Sequence, residues 1–363
     1  MDIKQTISRD INTAIKARER NTNVIFGFLG MPGIGKTAII QQVCEELGVK
    51  YFGEMVLASC SPMDIMGKIP DVENEVLSSY PNDDMPLDFI VGDEPCVWFI
   101  DEVTNATSDT LKALQQGLLS RKFGKHSLGK NVIIILAGNR QSDKAGSGVL
   151  STAIYNRVTW RNLEWDAKSS DIAVSYITDK YREDTPEAEE MIGLMMGYFA
   201  HVPMIEKDFT DALGKIGKEP FVQWCSPRSL EALVGRMAVN NWALPSITDM
   251  AGDIGMGRAT ELFGFAQLLG KLTKFEDLIK DPAKAKMPES IDAQYAMVGM
   301  LAARVKKDTF APVWEYASRF NQITLKIVFL KMAMKVTPDI RNSPAYMRLY
   351  KESPELNAAI MGV

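Results

Sequence analysis

The eight residues Gly30-Met-Pro-Gly-Ile-Gly-Lys-Thr37 constrain this chain more than any other stretch. They match G-x-x-x-x-G-K-[ST], in which glycines let backbone N–H groups turn inward around phosphate oxygens. Gly30, Gly33 and Gly35 are those glycines, with Pro32, Ile34 and Ala38 completing the wrap. Lys36 is expected to reach the outer phosphates, and the Thr37 hydroxyl suits Mg2+. The loop follows a short apolar run, Val24–Leu29, and opens a helix-patterned stretch, Thr37–Leu47. A buried strand, a tight turn and a helix whose positive end faces the anion are the context this chemistry needs. A Gly-rich turn with an incidental lysine is the bland alternative, and the flanking pattern weighs against it.

The same alternation continues. Apolar runs at Met55–Ala58, Val97–Ile100, Val132–Ala137 and Val158–Leu163 read as further strands, with Ala106–Leu119 as a helix between the second and third of these runs. Continuous apolar strands separated by helices predict a parallel sheet covered on both faces. Ile3, Ile7, Ile11 and Ile15 form an i, i+4 ladder, so residues 1–20 are expected to form an amphipathic helix. Beyond about residue 166 the pattern is helical, with stops near Pro203, Pro220, Pro227, Pro245, Pro282, Pro288 and Pro338. The expected architecture is an α/β core with a five-stranded parallel sheet (residues 1–165), an all-α lid (166–245) and a C-terminal helical extension (246–363). The stretch Met191-Ile-Gly-Leu-Met-Met196 is read as core, and Gly252-Asp-Ile-Gly-Met-Gly257, which no strand precedes, as a loop.

Composition removes other chemistries. The only histidines are His126 and His201, and the four cysteines, Cys44, Cys60, Cys96 and Cys225, are far apart. No H-E-x-x-H helix or C-x-x-C pair can be built from them, and neither histidine lies in a nucleophile motif. Both histidines are read as surface or packing residues. Sparse cysteines, an N-terminus without an apolar signal core and apolar runs too short to span a bilayer lead us to expect a cytoplasmic protein without a membrane anchor. The net charge is -5, so nucleic acid is not favoured as a partner by overall charge.

Catalytic chemistry in such a chain is then expected to rest on carboxylates, a phosphate-binding loop or a bound ion. Val97-Trp-Phe-Ile-Asp101-Glu102 is an apolar strand ending in two acids. Asp101 at the strand tip is placed to hold Mg2+, and Glu102 to polarise an attacking water. Alone, such a pair is commonly structural; following a phosphate loop by a strand and a helix, it favours ATP hydrolysis. Charge is also segregated. No Lys or Arg falls between Ile69 and Leu111, where eight acidic residues from Asp71 to Glu94 lie, and Arg121, Lys122, Lys125 and Lys130 cluster just beyond. Solvated loops are the default reading of both blocks.

In these motifs the chain resembles AAA+ ATPases, and among them the MoxR-like group, over residues 20–240. Asp101-Glu-Val-Thr-Asn-Ala106 is similar to that group's Asp-Glu-Ile-Asn-Arg-Ala. Leu136-Ala-Gly-Asn139 ends a strand as the family's sensor 1 segment does, which makes Asn139 the group that orients the water. Leu150-Ser-Thr-Ala-Ile-Tyr-Asn-Arg157-Val resembles Leu-x-x-Ala-x-x-Asp-Arg-Phe, whose arginine reaches a neighbouring subunit's γ-phosphate, so Arg157 is the implied arginine finger, with Arg161 as fallback. Cys225-Ser-Pro-Arg228-Ser resembles the lid's Ala-Ser-Pro-Arg-Ala and makes Arg228 the sensor 2 residue. By residue type alone, Asn139 is a strand-end turn residue and the arginines are ion-pair residues; order and spacing raise them above that.

The resemblance implies a ring-forming homo-oligomer, with a hexamer expected, that binds ATP and Mg2+ between core and lid and remodels a protein client. It extends to a partner with a von Willebrand A-type domain, and it places the acidic insert at the ring's pore. The alternatives are a nucleic-acid-directed motor of the same fold and a non-hydrolysing nucleotide switch.

Overall fold

The computed structural model describes residues 2–143, 145–146, 148–165, 167–183, 185–202 and 206–361, without side chains at 167–172, 206–207, 357 and 361. The chain divides into two compact units, Met1–Trp165 and Asp166–Val363.

In the first unit, α1 (Ile3–Glu19) and the glycine loop that links β1 (Phe26–Gly30) to α2 (Lys36–Leu47) come first. β2 (Lys50–Val56), β3 (Cys96–Asp101), α3 (Ser108–Ser120), β4 (Val132–Gly138), α4 (Thr152–Tyr155) and β5 (Thr159–Leu163) follow. The five strands form one parallel sheet in the order β2-β3-β4-β1-β5. The expected α/β fold with a five-stranded parallel sheet is therefore the observed one.

The sheet is apolar on both faces, as a parallel sheet flanked by helices requires. Cys96, Trp98 and Ile100 of β3, with Val132, Ile134 and Leu136 of β4, meet Leu111, Leu114 and Leu118 of α3 in one buried cluster. The intervening Val97, Phe99, Ile133 and Ile135 are equally buried. A side chain of this size contributes ~1.5–3 kcal/mol on full burial. On α1 the buried stripe runs Ile3, Ile7, Ile11, Ala14 and Arg18, leaving Ile15 half-buried. A strict i, i+4 ladder drifts by about 40° per step around a helix of 3.6 residues per turn, so by its fourth rung the buried face has passed to Ala14. Asp10 on this helix is buried and accepts from Arg161 of β5 at 2.7 Å. The Arg18 guanidinium donates to the Lys130 carbonyl just before β4.

The two charged blocks are more ordered than solvated loops. The acidic insert forms an antiparallel pair, Lys68–Asp71 with Val76–Ser79. A second, shorter hairpin, Lys122–Phe123 with His126–Ser127, lies against it, with the His126 ring 3.3 Å from the Ser79 carbonyl. Arg121 turns inward: its guanidinium donates to the Gly129 and Val132 carbonyls at 2.9 Å, and burial lowers its pKa to about 10. It anchors the start of β4 and is not part of a basic surface.

In the second unit the described residues form helices. Helices expected in different regions, α5 (Pro186–His201) and α6 (Pro227–Val239) in the lid and α7 (Ile291–Arg304) and α8 (Ile323–Val336) in the extension, share this one unit. Pro227 opens α6 at its first turn, and Pro338 follows the end of α8; the stop expected near Pro203 lies outside the described residues. Met195 and Met196 are core, as read from sequence; the stretch 252–257, read as a loop, is instead helical except at Gly255, which joins two helices. His201 packs on α7, stacked on Tyr295 and 2.8 Å from Asp292.

The closest approach in this unit is the crossing of α5 and α7, where glycines take the place of side chains. A Cβ on Gly299 would lie 2.1 Å from the Gly193 carbonyl oxygen and 2.7 Å from the Gly197 nitrogen. Both helices must part to accept it. Gly299→Ala is therefore expected to destabilise the helical unit by about 2 kcal/mol or more, the upper range of overpacking costs. Gly264, exposed within the helix Met256–Ala266, has nothing near a built Cβ; Gly264→Ala should stabilise by about 0.5–1 kcal/mol. Urea unfolding followed by circular dichroism compares the two, and equal midpoints would contradict the crossing geometry.

Candidate functional site

The sheet order decides which strand ends meet. β1 lies beside β4 with Leu29 opposite Gly138, and β4 lies beside β3 with Leu136 opposite Ile100. The glycine loop after β1, Asn139 after β4 and Asp101 at the tip of β3 are therefore neighbours at the carboxyl edge, where open α/β sheets bind ligands.

The loop has the conformation its glycines allow. Gly33 and Gly35 adopt φ of 80° and 83°, the left-handed region that favours glycine. Gly35 then caps α2, whose first turn carries no acidic residue, so its positive end is left open to an anion. Gly30 serves packing instead: a Cβ there would stand 2.7 Å from the buried Ile34 side chain. Pro32 is half-buried in the same loop, and Ala38 lies in the first turn of α2.

Lys36 is buried, and its ammonium donates to the Gly30 carbonyl at 3.0 Å, the Met31 carbonyl at 3.4 Å and Asn139 Oδ1 at 3.1 Å. Two of the expected site residues, 103 positions apart in sequence, are thus in direct contact. Thr37 Oγ1 lies 3.5 Å from Glu54 Oε1 on β2. Desolvation first, then the adjacent Asp101 carboxylate, pushes the Glu54 carboxyl above the usual carboxylate range. Oxygen donors alone line this corner, the donor set that Mg2+ prefers.

Asp101 Oδ1 accepts the Glu102 N–H at 2.7 Å. Glu102 itself has φ of 54°, left-handed backbone in a residue that normally avoids it. The strain is held by its surroundings: the Asn105 N–H donates to the Glu102 carbonyl at 2.9 Å, and the Val103 N–H to the Ala137 carbonyl of β4 at 3.0 Å. Thr104 completes the clamp. Its buried hydroxyl accepts from the Asn139 N–H at 3.1 Å, its side chain fills the space beside Gly138, and its carbonyl accepts from the Gly148 N–H. Glu54 and Thr104 are the site residues that the sequence reading missed.

The arginines divide. Arg161 is engaged with Asp10 and stacks at 5.7 Å over Phe26, so the fallback finger is a structural residue. Arg140 is bonded to the buried Asp143 through both its backbone and its guanidinium. Arg157, after α4, donates Nη1 to the Ala153 carbonyl at 2.7 Å, while its Nε is buried without a hydrogen-bond partner among the described residues. Arg228 is exposed in the first turn of α6, in the second unit.

A phosphate loop following an inner strand of a parallel sheet, with acids on the next strand but one, defines the nucleotide-binding core of a P-loop ATPase. Residues 26–158 match the family described as ATPase family associated with various cellular activities (AAA). No curated protein sequence matches the chain. Among solved structures, a mutant of Thermotoga maritima RuvB is similar at 14% identity and a TM-score of 0.38, over 78% of each chain. PCH-2 from C. elegans is similar at 15% identity and a TM-score of 0.40, over 73% of this chain and 68% of that one.

Left-handed backbone at a non-glycine residue costs about 1 kcal/mol or more, and asparagine tolerates it better than glutamate. Glu102→Asn is therefore expected to raise stability by up to about 1 kcal/mol in thermal unfolding. A lowered melting temperature would show that the glutamate side chain stabilises its own strained turn.

Proposed function

We propose that this protein is an ATP-hydrolysing AAA+ remodelling factor of the MoxR-like type that works as a homo-oligomeric ring, taken to be a hexamer, on a protein client. The observation that carries the reading is the convergence of Lys36, Asn139, Asp101 and the strained Glu102 on adjoining strand ends. Strain held in place by neighbouring hydrogen bonds is characteristic of catalytic positions.

In this reading the glycine-loop N–H groups and the end of α2 receive the phosphates, and Lys36 exchanges the Gly30 and Met31 carbonyls for phosphate oxygens. Thr37 and Asp101 hold Mg2+, which supplies charge neutralisation on the phosphates. Asn139 orients the attacking water, and Glu102 accepts its proton at a carboxylate oxygen. Arg157 serves the site of a neighbouring subunit; a guanidinium whose Nε lacks a partner among the described residues suits a group completed from outside. Arg228 carries the nucleotide-sensing role of the helical unit. The acidic stretch from Ile69 to Leu111, free of Lys and Arg, favours a protein client over nucleic acid. A von Willebrand A-type partner is part of the same proposal, as is a cytoplasmic location.

Lys36→Ala should abolish nucleotide binding. Glu102→Gln should bind ATP yet turn over about 10²-fold or more slower, the usual contribution of general-base catalysis. Arg157→Ala should retain ATP and lose about 10³-fold in turnover, with activity partly restored when it is mixed with Lys36→Ala subunits that still present Arg157. Phosphate release and equilibrium nucleotide binding measure each case. Full turnover in Arg157→Ala would remove that residue from the site, and salt-sensitive stimulation by DNA would redirect the reading to a nucleic-acid motor.

A further inference from the structure

The Mg2+ corner contains one carboxylate for which the reading above has no use. Glu54 pairs with Phe99 of β3, and Val56 pairs with Asp101. Because side chains alternate along a strand, Glu54, Val56, Phe99 and Asp101 share one face of the sheet. That face lies under the first turn of α2, since Thr37 Oγ1 reaches Glu54 Oε1 at 3.5 Å. Glu54 also stands within hydrogen-bonding reach of the Asp101 carboxylate and feels the charge of Glu102. Among the described residues no lysine or arginine pairs with Glu54, so its partners are a hydroxyl and other acids.

Such a carboxylate is unfavourable beside a bare triphosphate, because like charges repel at this range. It becomes favourable once a divalent cation lies among the acids. Mg2+ keeps several of its waters when bound, and those waters need acceptors. Thr37 and Asp101 alone were assigned to the ion; Glu54 adds an anionic acceptor on the strand beside Asp101. We propose that Glu54 is a positioning residue for Mg2+ that makes nucleotide affinity depend on the ion: it opposes nucleotide without Mg2+ and supports it with Mg2+. The inference rests on the ATP-binding reading above and deepens it, since it concerns how tightly ion and nucleotide are coupled.

The test is equilibrium binding of a fluorescent ADP, which reads binding without hydrolysis, in excess Mg2+ and again in EDTA. For the wild type the ratio of the two dissociation constants reports the coupling. Glu54→Gln should lower that ratio by about 10-fold or more, the usual scale for losing a residue that supports a metal's ligands, with the affinity in EDTA unchanged or tighter. A merely structural role for Glu54 would weaken binding in both conditions. Glu45→Gln, which removes the same charge from an exposed position on α2, should leave the ratio at the wild-type value. Thermal unfolding checks that both variants fold as the wild type does. A wild-type ratio in Glu54→Gln overturns the inference, as does an equal fall in Glu45→Gln. A wild-type protein that binds the fluorescent ADP in neither condition overturns the ATP-binding reading itself, which separates the two failures.

Discussion

The placement of β1 between β4 and β5 organises the first unit. Because β1 is an inner strand, both of its edges are hydrogen-bonded, and the glycine loop leaves the sheet from a fixed point. The register with β4, Leu29 opposite Gly138, brings Asn139 to the Lys36 ammonium. The next pairing, β4 with β3, brings the acidic turn alongside, and the third, β3 with β2, brings Glu54. A one-residue slip at any of these pairings would turn the strand's side chains to the other face. The polar groups of the site are therefore positioned by apolar strands such as Val132–Gly138, every residue of which is buried. Thr104 then ties the two strand ends together, since its hydroxyl holds the Asn139 backbone while the preceding Val103 N–H is bonded to β4.

The charge arrangement is uneven by design of the sheet edge. One side has the buried Lys36 ammonium, satisfied by carbonyls and an amide oxygen. The other has Asp101, Glu102 and Glu54, with the Thr37 hydroxyl between them and the loop. An anion on the helix end and a divalent cation among the acids would complement both halves together better than either alone, because each ligand offsets the field that opposes the other. The left-handed Glu102 fits the same logic. Its turn follows on a strand buried from Cys96 to Ile100 and is pinned by two backbone hydrogen bonds, so the fold can hold a conformation that the isolated sequence would avoid.

Most of the sheet was legible from sequence because its strands are continuous apolar runs. What was not legible follows from where periodicity fails. β2 reads Lys-Tyr-Phe-Gly-Glu-Met-Val, with only Met55 buried, so the apolar run suggested a strand beginning at Met55 and left Glu54 outside it. Extending the strand back through the alternation would have placed Glu54 on the face of Asp101. Thr104 carried no signal at all, since a threonine after two acids has many uses and only the β4 contact gives it one. The acidic insert read as solvated because Asp and Glu dominate it; its pairing depends on Ile69, Val76 and Leu77, which remain exposed and show no clear alternation. That helices of the two expected regions, 166–245 and 246–363, pack on one another was not legible for a different reason. The two regions pack through glycines at 193, 197 and 299, and a missing side chain leaves no hydrophobic pattern to read.

The arginines of the first unit show how structure sharpens a motif-based assignment. A guanidinium in a low-dielectric setting is retained where its donors are matched, and most here are. Arg18 and Arg121 donate to backbone carbonyls around the start of β4, Arg140 to Asp143, and Arg161 to Asp10. Arg140 and Arg161 each meet a buried carboxylate, which Arg9 shares in the case of Asp10, and an acceptor of that kind left unpaired costs about 1–3 kcal/mol or more. Arg157 differs. Its Nη1 donates to the Ala153 carbonyl in the short helix just before it, and its Nε has no hydrogen-bond partner among the described residues. Releasing Arg157 therefore disturbs least of the fold, which is the property an arginine needs if its working partner lies on another subunit.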